Sequence, residues 1–327
     1  CNLLFDFQGN RLMIFYVIGI ILTSLMLWLV PLSAFLASKG LVILLVAGYC
    51  AIYLLFIYKK PLKFIRSHFS YPLLVTLFIL LFTFLYFIFL KQQISVLIAG
   101  KIIIVFLLPL LVLLFAKSKP GEFHGLDLLV FLMVFISLES RFVSLPLVYE
   151  KNILSFDGIF MAFVLFVLFI YLGYRKIEMG YQLDLTKKMA YVTVMLTILL
   201  LSIEITLGTR LHFLTFVGWN VNLKDIFVLG IFFFFHAALV EEIFFRGLIY
   251  NYMSQFLKKF NFALPLLFNT ILFGVTHLNN GGFPMLLLST LAGFFYCFTY
   301  IITGNIFCAA FIHTATNLCW RLFFVIN

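Results

Sequence analysis

The chain has 327 residues, of which 65% are hydrophobic and 10% charged, with a formal net charge of +10 and a mean hydropathy of +1.20. Soluble domains carry about 25% charged residues, so this composition excludes a water-soluble domain and specifies an all-α, polytopic transmembrane helical bundle. The excess of Lys and Arg is what the cytoplasmic loops of a membrane protein carry, and gives no reason to expect nucleic acid as a partner.

A span needs about 20 apolar residues at a rise of about 1.5 Å each. Candidates fall at 12–37, 40–58, 72–90, 94–116, 125–140, 157–174, 190–208, 226–250, 263–279, 284–303 and 305–326, giving ten or eleven crossings. The fifth is short and breaks at Glu139-Ser-Arg141, and the ninth is short and flanked by Pro265 and Gly281-Gly282. The first run is long enough to span, so no cleavable signal peptide is expected. Basic residues alternate from loop to loop. Lys59, Lys60, Lys63 and Arg66, then Lys117 and Lys119, then Arg175, Lys176, Lys187 and Lys188, then Lys258 and Lys259 fall, with Arg11, on one side. The other side has Lys39, Lys91, Arg141, Lys151, Arg210 and Lys224. The positive-inside rule therefore puts the N-terminus in the cytoplasm and, with eleven spans, the C-terminus outside. That orientation disfavours a lipidated Cys1. The five cysteines (Cys1, Cys50, Cys297, Cys308 and Cys319) show no metal-binding spacing and read as small packing hydrophobes.

No soluble domain, low-complexity linker or internal repeat interrupts the chain. Residues 1–185, about six spans, carry few polar side chains and read as a transmembrane extension; residues 186–327 carry the chemistry. Lys101 reads as a snorkelling or paired lysine and Arg321 as an interfacial anchor. Glu204, near the end of the seventh span, is expected at the interface or in a polar contact, with a role near the site as the alternative. The 45 phenylalanines, including Phe232 to Phe235, read as lipid-facing bulk.

The stretch His236-Ala-Ala-Leu-Val-Glu241-Glu242-Ile-Phe-Phe-Arg246 stands out inside an apolar run. Charged side chains at mid-bilayer cost about 2.5–3.5 kcal/mol each on insertion scales, so they are rare and usually functional. On a helix Glu242 and Arg246 share a face and pair. Glu241 points about 100° away and needs a partner from another helix. Later spans offer His277, in Phe273-Gly-Val-Thr-His277, and His313 with Asn317, four apart on one helix face. Taken singly, each has a structural explanation as hydrogen-bonded glue between helices. Taken together, costly groups from three spans point to a shared cavity.

A carboxylate and an imidazole can activate water as general base, and a second imidazole with a carboxamide can stabilise an oxyanion. That set suffices for peptide hydrolysis. The same Glu241, His277 and His313 could instead ligate Zn²⁺, although no HExxH is present. No GxSxG occurs and no Asp follows Asp225, which excludes the common serine and GxGD aspartyl patterns. Two non-hydrolytic readings remain: a membrane scaffold or assembly subunit, and a transporter with a proton-relay Glu and His. Transport predicts polar residues in both halves of the chain, which are absent.

Glu241-Glu242-x-x-x-Arg246, Phe273-x-x-x-His277 and His313-x-x-x-Asn317, in that order, resemble the CPBP family of type II CAAX prenyl proteases and bacteriocin-processing (Abi) proteins over about residues 190–327. The resemblance implies an intramembrane endopeptidase in which Glu241 and His277 activate water. His313 and Asn317 would form the oxyanion hole, and Glu242 and Arg246 would support the site. The family has been described as both metallo- and glutamic protease; the residues lean toward the metal-free form, with no cofactor, and zinc stays open. The implied partners are a membrane-embedded or prenylated protein or peptide and the lipid bilayer, with a partner subunit able to dock on the N-terminal spans. The bacterial inner membrane is the expected location. Counting spans places Glu241 toward the cytoplasmic end of its helix and His277 toward the outer end of the next. Their meeting requires a tilted, broken or displaced helix, which Pro265 and Gly281-Gly282 make plausible.

Overall fold

The computed structural model describes residues 53–68, 79, 96–116, 119–140, 142, 146–149, 154–219 and 221–327. The candidate spans at 12–37, 40–58 and 72–90 lie wholly or mostly outside the described residues, as do Cys1, Cys50, Arg11, Lys39, Lys91, Lys117, Arg141 and Lys151. The described residues are predominantly helical. In chain order they form α1 (Lys59–His68), α2 (Val96–Phe115), α3 (Asp127–Glu139), the hairpin β1 (Pro146–Tyr149) and β2 (Leu154–Asp157), and α4 (Gly158–Val167, continuing through Leu168–Tyr174). Then come α5 (Lys187–Arg210), β3 (Leu214–Phe216), the long helix α6, α7 (Ala263–Thr276), α8 (Leu278–Thr303), α9 (Ile306–Phe323) and β4 (Phe324–Ile326). Helices α2, α5, α8 and α9 are each long and apolar enough to cross a membrane.

Helix α6 runs without a break from 223 to 256. It starts as Leu223–Phe232, widens to π turns at Phe233–Ala238, tightens for one turn at Leu239–Glu242, widens again at Ile243–Tyr250 and ends as Asn251–Phe256. At about 1.5 Å per residue it is near 50 Å long, well beyond the hydrocarbon thickness of about 30 Å. By contrast, α7 has 14 residues and measures about 21 Å, too short to cross. These two lengths resolve the mismatch that span counting raised. Glu241 lies 15 residues from the end of α6, and His277 lies 14 residues beyond the start of α7, so each side chain stands about 21–22 Å from the connecting turn. They are level.

What stops α7 is the Gly pair. After His277 a short hook, 278–280, leads to Gly281 in extended conformation and Gly282 at φ +64, ψ −151, and α8 resumes beyond it. That φ/ψ combination is essentially restricted to glycine. The returning α8 packs closely on α7 because both present glycine at the contact. A Cβ on Gly293 would sit 2.9 Å from the Phe273 ring, and one on Gly274 would sit 2.9 Å from Thr290 Cβ. Close backbone approach replaces the hydrophobic drive that helices lack inside lipid.

Three further features depart from the sequence reading. The eleventh span was expected to reach 326, but α9 ends at Phe323, and Phe324–Ile326 extends to pair antiparallel with β3 (Leu214↔Ile326, Phe216↔Phe324). The pairing satisfies backbone groups that a fraying helix end would leave open. It also joins the loop after α5 to the chain end, so both lie on one face of the membrane, as the alternation of loops requires. Arg175 was assigned to a loop but is buried against Asp127, which also accepts a hydrogen bond from Tyr171 Oη at 3.1 Å. Finally, the segment after α4 packs under the bundle: Ile177, Met179 and Tyr181 are buried, Gly180 O accepts from Ile306 N at 3.1 Å and Asn305 Nδ2 donates to Gln182 O at 2.8 Å. One continuous apolar core runs from α2 and α4 into α6, α8 and α9.

Candidate active site

The single tight turn of α6 carries both glutamates. Glu242 and Arg246 are fully buried on the bundle face. Arg246 Nη1 donates to Glu242 Oε1 at 3.1 Å, and Nε lies 3.1 Å from Oε2 without hydrogen-bond alignment. Nη2 donates to Gly293 O at 2.9 Å, which ties α6 to α8. The guanidinium also lies over the rings of Phe273 (4.7 Å) and Tyr296 (5.5 Å). A buried ion pair persists only with such additional partners, because desolvation costs several kcal/mol per ion. The Phe245 carbonyl of α6 accepts from Asn269 Nδ2 of α7 at 2.6 Å.

Glu242 has a second task. Its Oε1 lies 3.0 Å from His313 Nδ1. The imidazole is fixed in its plane by Tyr296, stacked at 4.6 Å and 15°, and by the edge of Phe273 at 5.7 Å. Carboxylate oxygens only accept, so Nδ1 carries the proton and Nε2 faces away from Glu242. On the other side of the site the end of α7 frees the Phe273 carbonyl, and His277 Nδ1 lies 2.9 Å from it. Thr276 Oγ1, itself donating to the same carbonyl, lies 2.9 Å from Nδ1. This again makes Nδ1 the donor and leaves Nε2 as the free nitrogen.

Both free nitrogens converge on Glu241. Its Oε2 lies 4.0 Å from His277 Nε2 and 3.9 Å from His313 Nε2, and that oxygen makes no hydrogen bond. The Glu241 side chain is 28% exposed while that of Glu242 is 0% exposed. So the two neighbouring glutamates divide: one is locked into the bundle and the other faces a gap. A separation of 4 Å is too long for a direct hydrogen bond and short enough for one bridging water.

Asn317 stands one turn beyond His313 on α9 and lines the same cavity of about 50 Å³, whose wall also includes His277, His313, Tyr296, Thr316, Trp320 and Glu204. Room of that size holds a few waters. Of the six residues that the sequence singled out, His277, His313 and Asn317 line this cavity, while Glu241, Glu242 and Arg246 join the group through the imidazoles and the buried ion pair and do not line it. Of the other ionisable residues, Lys101 lies 4.8 Å from the Phe142 ring, away from the cavity, and Arg321 is exposed near the end of α9. Glu204 is not at the interface: it is fully buried and lines the cavity, the alternative that placed it near the site.

Residues 223–319 match the family model described as Type II CAAX prenyl endopeptidase Rce1-like. Over these residues the chain is similar to the type II CAAX prenyl endopeptidases. No curated protein and no solved structure matches the chain. The matched segment contains Glu241, Glu242, Arg246, His277, His313 and Asn317, and it begins after α5, so Glu204 falls outside it.

Two of its residues escaped the sequence reading. Tyr296 and Asn269 are both buried, the first stacking on His313 and the second bracing α6. Asn269, Phe273 and His277 are spaced four apart, a face that could have been read; Tyr296 carries no such signal among 15 tyrosines and 45 phenylalanines. The donor types at the centre of the matched segment suit zinc, and each imidazole has its Nδ1 anchored as a ligand would. Tetrahedral ligands at about 2.0–2.2 Å from zinc stand about 3.3–3.6 Å apart, and Glu241 Oε2 stands a little farther, 3.9–4.0 Å, from both nitrogens. Among the described residues no group of three or more His, Cys, Asp or Glu is placed to hold a metal ion.

Proposed function

We propose that the chain is an intramembrane endopeptidase that hydrolyses a peptide bond in a prenylated or membrane-embedded protein or peptide, by a water held between Glu241 and His277. The observation that carries this reading is the unpartnered Glu241 Oε2, 3.9–4.0 Å from two imidazole nitrogens whose opposite nitrogens are anchored. Glu241 takes a proton from the water as its oxygen bonds to the substrate carbonyl carbon, and the carbonyl π electrons pass to the oxygen. Asn317 and His313 donate to that oxyanion. For His313 to donate through Nε2 while Nδ1 donates to Glu242, the ring carries both protons, and the Glu242 carboxylate stabilises that imidazolium. The tetrahedral species then expels the amine, which receives the proton from Glu241.

In this reading residues 186–327 form the catalytic core, and residues 1–185 flank it as a membrane extension on which a partner subunit docks. The chain sits in the bacterial inner membrane with its N-terminus in the cytoplasm, and donors spaced somewhat wider than zinc ligands favour the metal-free route. The test is cleavage, in detergent micelles, of a farnesylated peptide ending Cys-aliphatic-aliphatic-X. The purified protein is assayed as wild type and His277→Ala, with and without chelator. We expect cleavage by wild type that survives chelation and is lost in the variant. Loss on chelation with recovery on added Zn²⁺ overturns the metal-free route, and equal rates for both proteins overturn the assignment of His277.

A further inference from the structure

Helix α5 turns five residues toward the bundle: Thr193, Thr197, Leu200, Glu204 and Gly208. The two threonines are satisfied within their own helix, each donating to the carbonyl four residues back at 2.8 Å. Glu204 is not. Its side chain is fully buried, and neither carboxyl oxygen reaches hydrogen-bond geometry; the polar group beside it is Trp320 Nε1, which lines the same cavity and likewise makes no aligned hydrogen bond. No Lys, Arg or His forms an ion pair with it among the described residues. A buried carboxyl with no cation beside it is costly to ionise. So α5 places one costly group against the cavity that His313 and Asn317 also line.

From this placement we propose that Glu204, as a neutral carboxylic acid, is a further hydrogen-bond donor to the substrate carbonyl on the wall formed by His313 and Asn317. The proposal rests on the peptidase reading above. A protonated carboxyl donates one hydrogen bond and adds no negative charge, which an oxyanion wall requires. Helix α5 lies outside the segment matched by the family model, so the chain would draw one of its substrate contacts from beyond that segment.

The test compares wild type, Glu204→Gln, Glu204→Leu and Glu241→Gln on the farnesylated peptide, with thermal unfolding of each in the same detergent. Gln keeps an N–H donor and should retain activity within a few-fold. Leu should lower kcat about 10²-fold, the scale of one lost oxyanion donor, with KM little changed and with thermal stability equal to or above wild type. Glu204→Leu at the wild-type rate while Glu241→Gln is inactive overturns this proposal and leaves the peptidase reading standing. Glu204→Leu that unfolds at a lower temperature than wild type also overturns it, because the residue is then structural. A Glu241→Gln protein that still cleaves the peptide sinks the peptidase reading and this proposal with it.

Discussion

Adjacent glutamates on one helical turn have opposite fates because the helix points them about 100° apart. Glu242 meets Arg246 and His313 in a dry interior, and Glu241 meets a gap between two imidazoles. This division predicts different losses. Arg246→Ala leaves Glu242 buried with its cation gone, which costs about 3–5 kcal/mol; thermal unfolding in detergent should show the drop, and a variant as stable as wild type would contradict it. Asn317→Ala removes a partly exposed amide that makes no hydrogen bond among the described residues. It should unfold like wild type and lose about 10²–10³ in kcat, measured on the farnesylated peptide.

At the scale of elements, the site depends on a short α7, an over-long α6 and a glycine hook. Gly282→Ala forces a side chain into a conformation that costs about 1–3 kcal/mol. Because His277 lies five residues before it, peptide cleavage should fall further than the loss of stability alone explains. Unaltered cleavage would show that the hook does not position His277. Much of this element pattern is legible in the sequence: apolar runs place α2 to α9 within a few residues, and the spacings 242/246 and 313/317 put the pairs on common faces. The relative heights are not legible. Span counting assumes that every helix is as long as the bilayer is thick, and α6 and α7 depart from that in opposite directions. The partner of β4 is also hidden, because Ile326 pairs with Leu214 across more than a hundred residues. Glu204 gives no clue either, since a single carboxyl near a span end reads as interfacial until packing shows it turned inward.

For the whole molecule, the described helices before residue 186 are tied to the helices of the candidate site by polar and aromatic contacts as well as lipid-like packing. Gln255 of α6 bonds both the N–H and the carbonyl of Phe123 at 2.8 and 2.9 Å, and Tyr252 meets Phe123 and Phe131 edge-on at 5.8 and 5.5 Å. Beneath them the buried Asp127–Arg175 pair joins α3 to the end of α4. Positive-inside counting hides this pair, because it already explains an arginine at a span end. Asp127→Ala and Arg175→Ala should each lower stability by about 3–5 kcal/mol, and the double variant should lose less than the sum. Additive losses in thermal unfolding would contradict a direct pair. The measurement that tests the central claim most directly is the rate of cleavage of the farnesylated peptide by Glu241→Gln beside wild type, with both proteins shown to unfold at the same temperature. Removing the general base should cut kcat about 10²–10⁴-fold; a Glu241→Gln protein that cleaves at the wild-type rate would contradict the account.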